Sequence, residues 1–75
     1  MRFFFDIRDD LTATSDTEGM EFPSVAMAQT EAIRAAAELG SELFLSNISQ
    51  LTITVRDDSR ALLEVEVRMS KRVFG

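Results

Sequence analysis

Residues 20–45 read MEFPSVAMAQTEAIRAAAELGSELFL, and along this stretch the apolar spacing changes from every second residue to every three or four. Met20 and Phe22 flank a glutamate, an alternation typical of a short strand, and Pro23 ends the strand because proline has no N–H to donate. Ser24 is suited to cap a helix, since its hydroxyl can accept a hydrogen bond from a free amide of the first turn. The stretch therefore predicts a strand followed at once by a helix.

The predicted helix runs from Val25 to about Leu45 and is amphipathic, with polar residues filling the side opposite its apolar stripe. Alanines dominate the stripe, which favours the helix and allows a close approach to a sheet. Gly40 interrupts it and is expected to weaken the helix, whereas Asn47 is expected to end it in a left-handed conformation. The residues expected to face the core are Val25, Ala28, Ala32, Ile33, Ala36, Ala37, Leu39, Leu43 and Phe44.

Three other segments alternate between apolar and polar residues with a period of two, which predicts strands. They are Arg2–Arg8, Gln50–Arg56 and Ala61–Met69. The short polar turn Asp57–Arg60 joins the last two into a hairpin. Asp9–Glu18 is polar without a hydrophobic period and is predicted to be a loop.

These elements predict one α+β domain over residues 1–75, with residues 70–75 expected to fray. The architecture is two-layer ββαββ, with one amphipathic helix packed on a four-stranded antiparallel sheet. Numbered along the chain, the strands take the order 2-1-3-4, because this keeps the crossover short and places the most apolar strand in the middle. Phe3, Phe5 and Ile7 are then expected in the core, and Phe4 on the open face of the sheet.

The composition excludes several classes of chemistry. The chain has no cysteine and no histidine, so thiol, disulfide and imidazole chemistry are absent, and a reducing, cytoplasmic location is expected. Neither a signal-peptide pattern nor an apolar run of about 20 residues is present, which argues against a membrane location. The formal net charge of −5 disfavours nucleic acid, whose phosphates attract lysine and arginine.

Two aspartate pairs, Asp9–Asp10 and Asp57–Asp58, are the candidate cation ligands. Neighbouring residues on a strand point apart, and the pairs are expected at opposite ends of the sheet. Turn formation is therefore the favoured role, with no metal site and no cofactor. The aromatic run Phe3–Phe5 resembles the platforms on which RNA bases stack, but only Phe4 is expected to face outward.

An enzyme is not expected. The serines have no histidine to activate them, and the only lysine, Lys71, lies in the predicted tail. Four strands and one helix are also expected to leave little room for a pocket of about 300 Å³ or more.

Several short segments spread over nearly the whole chain form a recognisable pattern. They are Phe4–Ile7, Asp16, Glu18–Ser24, Ala28, Glu31–Ala32 and Val55–Asp57. With them the chain resembles a family of short bacterial domains of unknown function. Asp10 departs from that pattern, which usually has glycine there, and Ser24 replaces the more usual aspartate at the helix cap. The resemblance supports the fold and implies no function.

The favoured function is a non-enzymatic module that binds another protein or a second copy of itself. The expected interaction surface is the open face of the sheet with the last strand, and comprises Phe4, Leu62, Glu64, Glu66 and Arg68. Antiparallel pairing of two last strands centred on Val67 would place Glu66 opposite Arg68, whereas centring on Val65 would oppose two glutamates. The opposing interpretation is that these charges keep the edge monomeric. The alternative function is an accessory domain that binds a small ligand or nucleic acid.

Overall fold

The central element of the sheet is its first strand, which pairs with neighbours on both sides. The structure is a computed structural model that describes residues 1–75. Its elements in chain order are β1 (Arg2–Asp9), β2 (Ala13–Thr14), β3 (Met20–Glu21), α1 (Val25–Leu43), a 3₁₀ turn (Phe44–Ser46), β4 (Gln50–Arg56) and β5 (Ala61–Arg68). The predicted α+β class, with one helix on an antiparallel sheet, is confirmed.

The sheet has five strands instead of the four predicted. The short strands β2 and β3 share one side of β1, with Ile7 opposite Thr14 and Phe3 opposite Met20. On the other side lie β4 and then β5, which forms the free edge. The predicted order therefore changes only by the addition of β2, which lies inside the segment predicted to be a loop. Two residues are too few to show a strand period, so the sequence could not reveal it.

Helix α1 begins as predicted and ends slightly early. The Ser24 Oγ accepts a hydrogen bond from the Met27 N–H at 3.2 Å, which confirms the cap. The α-helix ends at Leu43, and the 3₁₀ turn continues to Asn47, which has the left-handed φ of 66° expected of it.

The buried stripe of α1 is narrower than predicted. It consists of Ala28, Ala32, Ala36 and Gly40, spaced four residues apart, and α1 packs about equally on β4 and β5. Gly40, at the end of the stripe, faces the 3₁₀ turn: a Cβ added there would lie 3.1 Å from the Phe44 ring. The glycine predicted to be a weak point therefore allows the Phe44 ring to pack closely against α1.

The predicted core positions of Val25, Ile33 and Ala37 are wrong. All three are exposed, Val25 by 37% and Ile33 by 51%. Ile33 and Ala37 lie outside the buried stripe of α1, because the helix packs mainly on β4 and β5 and the sheet ends at β5.

Because α1 packs mainly on β4 and β5, the residues of β1 are less buried than expected. Phe3 is fully buried, whereas Phe5 and Ile7 pack against the core cluster but stay partly exposed. Phe22 covers this region, with its ring centroid 6.3 Å from that of Phe3 and 5.9 Å from that of Phe5. Phe3, and not Phe5, is therefore the main aromatic anchor.

A bulge in β5 overturns the predicted position of Leu62. Val55 lies opposite Leu63 and Arg56 opposite Ala61, so Leu62 has no partner across the hairpin. It packs against the core cluster and does not share the open face with Phe4. Beyond β5, residues 69–75 form no helix or strand. None of the chain's helical segments has the length and apolar character needed to cross a bilayer.

Candidate functional site

An ion-pair cluster occupies the open face where β1 pairs with β4. The Arg56 Nε donates to Asp6 Oδ2 at 2.7 Å, and its Nη2 donates to the backbone oxygen of Asp16 at 2.8 Å. The Arg56 guanidinium carbon also lies 4.6 Å from the centroid of the Phe4 ring. A planar guanidinium is suited to binding a carboxylate, a carbonyl and an aromatic face together. Phe4 lies on the open face, as predicted, but the Arg56 guanidinium covers its ring.

Asp16 fills the gap between β2 and β3 on the side of β1. Its Oδ2 accepts the Phe5 N–H at 3.1 Å, and its Oδ1 accepts the N–H groups of Glu18 and Gly19 at 3.0 Å each. In return, the Asp16 N–H donates to Asp6 Oδ1 at 2.9 Å. The side chain thus replaces the missing strand partner of Phe5 and fixes the loop against β1.

Gly19 is required where this loop touches β1. Its φ is +75°, and a Cβ there would lie 2.9 Å from the Phe3 carbonyl oxygen. Only glycine adopts that conformation without strain and permits this contact.

The acids of the cluster are held ionised. Hydrogen bonds from Gly19 first, then from Phe5 and Glu18, lower the pKa of Asp16 despite partial burial. Burial alone would raise the pKa of Asp6, but the hydrogen bonds from Arg56 and the Asp16 amide outweigh it and lower that pKa. Bonding to Asp6 raises the pKa of Arg56. These groups are therefore fixed charges at neutral pH, suited to holding structure and not to donating protons.

Asp6, Asp16, Gly19 and Arg56, which join in this cluster, are residues on which the family resemblance rested. A family model described as a domain of unknown function, DUF6894, matches residues 2–68. The chain belongs to this family. The match covers every element from β1 to the end of β5. No curated protein and no solved structure matches the chain. In this DUF6894 domain the four residues tie β1, the loop and β4 together, which gives them a structural role.

The prediction that the fold leaves little room for a pocket of about 300 Å³ or more is wrong. A groove of about 430 Å³ lies over β1, beside α1. Phe5, Ile7, Ile53 and Ala35 form its apolar floor. The groove exists because α1 packs mainly on β4 and β5 and leaves Phe5 and Ile7, on the inner face of β1, partly exposed. Its remaining lining residues are Thr14, Ser15, Asp16, Thr17, Glu18, Met20 and Glu31.

The free edge of β5 exposes backbone hydrogen-bonding groups. The Met69 N–H donates to the Ser49 oxygen at 2.8 Å, and the pairing with β4 is regular from Leu63 to Arg68. Successive N–H groups of a strand point to opposite sides, so those of Glu64, Glu66 and Arg68 point away from β4. The Glu66 carboxylate accepts a bond from Arg68 Nε within the strand.

The structure brings together three of the five residues predicted to form the interaction surface. Glu64, Glu66 and Arg68 lie opposite Thr54, Thr52 and Gln50 and share the open face. Phe4 is separated from them by β4, and Leu62 packs toward the core.

One exposed flank of α1 could not be recognised from the sequence. Glu31 and Ala35 line the groove over β1. Ile33 is two residues from each, or 200° around the helix, so it lies on the opposite flank, toward the free edge of β5. Ala37 is likewise two residues from Ala35. The amphipathic pattern included both residues, but it could not show that the sheet ends beneath them.

One aspartate of each pair, Asp9 and Asp57, serves the turn around it. Asp9 Oδ1 accepts the N–H groups of Leu11 and Thr12 at 2.8 Å each, and Asp57 Oδ1 accepts that of Ser59 at 2.8 Å. This turn-forming role was predicted. Asp10 also bonds to the distant Ser49, through the amide at 2.9 Å and the hydroxyl at 2.8 Å, which was not predicted.

Proposed function

We propose that the chain is a non-enzymatic protein-binding module that adds an extended segment of its partner to the free edge of β5. The observation that carries this proposal is the row of outward N–H groups at Glu64, Glu66 and Arg68. An unpaired strand edge of this kind is a template for main-chain pairing with another chain.

The features that usually keep an edge strand from pairing with another chain are incomplete at β5. The bulge at Leu62 lies near the start of β5, and the register is regular over the five residues 64–68. Charged side chains often protect edges, but those of Glu64, Glu66 and Arg68 have both signs. Charges of both signs favour a partner of complementary pattern and disfavour others, so they can select a partner.

Two titratable groups of the groove, Asp16 and Glu31, support a non-enzymatic role. Backbone hydrogen bonds, with that of Gly19 the strongest, lower the pKa of Asp16, and bonding to Arg34 lowers the pKa of Glu31. A general acid at neutral pH needs the opposite shift. We also propose a cytoplasmic location, and only the composition, which has no cysteine, supports it.

The test is selection from a display library of random 12-residue peptides, with edge variants as controls. Glu66→Pro removes an outward N–H and leaves the ladder to β4 intact, because proline is tolerated on the open side of an edge strand. Glu66→Ala removes the charge and keeps the N–H. We expect selected peptides to bind the wild type and Glu66→Ala but not Glu66→Pro. Peptides that bind all three equally, or none that bind, would contradict the proposal.

The groove favours a second candidate, the binding of a small apolar ligand. Its floor is apolar and its volume is sufficient for a drug-sized molecule. We expect the fluorescence of the neutral probe Nile red to rise with the wild type and with Thr30→Phe, a control on an exposed part of α1. Ala35→Phe, which fills the floor, should abolish the rise. Equal fluorescence with both variants would rule this candidate out.

A further inference from the structure

We propose that the partner at the β5 edge is a second copy of this chain, with β5 pairing antiparallel to β5 and α1 packing on α1 across a two-fold axis. This inference rests on the proposed function and specifies its partner. It is carried by the position of α1 over the sheet, by the exposed flank of α1, and by the charges along β5.

The position of α1 sets the distance between the two helices. Because α1 packs about equally on β4 and β5, we take its axis to lie about midway between them. Strands are spaced about 4.8 Å apart, so the axis lies about 2.4 Å inside β5, and the two-fold axis about 2.4 Å outside it. The two helix axes would then be about 9.6 Å apart, within the 8–10 Å at which helices pack.

The flank that would meet the second helix is already apolar. Ile33 is 51% exposed and Ala37 is exposed beside it, one turn further along α1. An isoleucine on this flank would be buried by the contact, and an alanine next to it permits the close approach. The dimer thus explains why the apolar pattern of α1 is wider than the core of one copy.

The charges select the register. Centred on Val67, the pairing places Glu66 opposite Arg68 of the second copy, and the two-fold axis repeats this contact. Each Glu66 is also bonded to Arg68 of its own strand, so the four charges alternate in sign around a square. Centring on Val65 opposes Glu64 to Glu66, and centring on Glu66 opposes that carboxylate to its own copy.

The same register gives the residues after β5 a partner. Residues 69–71 would lie opposite residues 65–63 of the second copy, as far as the bulge at Leu62. In the single chain residues 69–71 form no strand, and Met69 is 49% exposed. The paired length would grow from the three residues around Val67 to residues 63–71, which offsets the small overlap of the two β5 strands themselves.

The test is sedimentation velocity over a concentration series. Ile33→Asp introduces a charge into the proposed helix contact. Met27→Asp is its matched control, since Met27 is also 51% exposed but lies 120° around α1, on the side of β1. We expect a wild-type dimer, an unchanged Met27→Asp, and a dissociation constant raised at least about tenfold in Ile33→Asp. Ala37→Glu, at an exposed position that tolerates substitution, should weaken the dimer in the same way.

Register is tested by charge reversal. Arg68→Glu should weaken the dimer, and the swap Glu66→Arg with Arg68→Glu should restore it. A wild type that stays monomeric at concentrations on the order of 100 μM, or a dimer indifferent to both Ile33→Asp and Arg68→Glu, would overturn the inference.

Failure of the dimer and failure of edge binding are distinguishable. If the chain is monomeric but peptides still bind the wild type and not Glu66→Pro, the dimer is wrong and the proposed function stands. If Glu66→Pro dimerises like the wild type, β5 is not the interface and the inference is wrong whatever the peptides show.

Discussion

Arg56 on β4 and Asp6 on β1 are 50 residues apart in the chain, yet the Arg56 Nε donates to Asp6 Oδ2 at 2.7 Å. The side chains of Arg56 and Asp6 are each about 30% exposed, so water screens their attraction only in part. Arg56 extends the link to the loop through the Asp16 carbonyl. One guanidinium therefore joins β4, β1 and the loop that borders the groove.

Arg56→Ala should destabilise the domain more than an ordinary surface substitution. It leaves Asp6 Oδ2 and the Asp16 carbonyl without their donor, at a cost of about 1–3 kcal/mol in the free energy of unfolding. Arg60→Ala is the control, because Arg60 is exposed and its side chain makes no hydrogen bond; its cost should be within about 0.5 kcal/mol. Denaturant melts measure both. Equal costs would show that the cluster contributes little.

The stability supplied by Asp16 should depend on pH. Its pKa is lowered in the folded state, chiefly by the Gly19 N–H, so its contribution is complete above the unfolded carboxyl pKa of about 4. The contribution should be lost as pH falls through the lower folded value. Asp16→Asn, which keeps the shape without the charge, should therefore be less stable than the wild type at pH 7. The difference between their unfolding free energies should shrink towards pH 3, and a constant difference would exclude this ionic role.

The stability lost when a phenylalanine of β1 is replaced by alanine should follow the burial of its side chain, and not the apolar pattern alone. Phe3 is fully buried, so Phe3→Ala should cost about 3–5 kcal/mol. Phe5→Ala should cost less, because the groove leaves Phe5 partly exposed. Phe4→Ala should also cost less than Phe3→Ala, because Phe4 is half-buried and packs against Arg56 and Gly19 on the open face. Chemical denaturation of the three variants gives the ranking. A larger loss for Phe4→Ala than for Phe3→Ala would mean that the register of β1 is wrong.

The two internal glycines should respond oppositely to alanine. Gly19→Ala forces a positive φ on a residue with a Cβ and a contact with the Phe3 oxygen, so a loss of about 1–3 kcal/mol is expected. Gly40→Ala gains helix propensity of up to about 1 kcal/mol, which the contact with the Phe44 ring offsets, so little net change is expected. Thermal melts compare the two. A neutral Gly19→Ala would contradict the loop conformation.

The sequence by itself determined the elements whose signals are local. Alternation identified β1, β4 and β5, and the change of period at Ser24 placed the start of α1, because side-chain direction follows the repeat of each backbone form. The cap at Ser24 and the left-handed Asn47 depend only on neighbouring residues, so they too could be predicted.

Only the tertiary structure decided where α1 lies on the sheet. That position determined which apolar residues of α1 and β1 remain exposed. An amphipathic pattern shows which side of a helix is apolar but not which strands lie beneath it. For this reason the exposure of Ile33, the partial exposure of Phe5 and the groove over β1 were not foreseen. The link between Asp6, Asp16 and Arg56 escaped prediction for a related reason: its members meet only when distant strands pair, and no local repeat encodes that meeting.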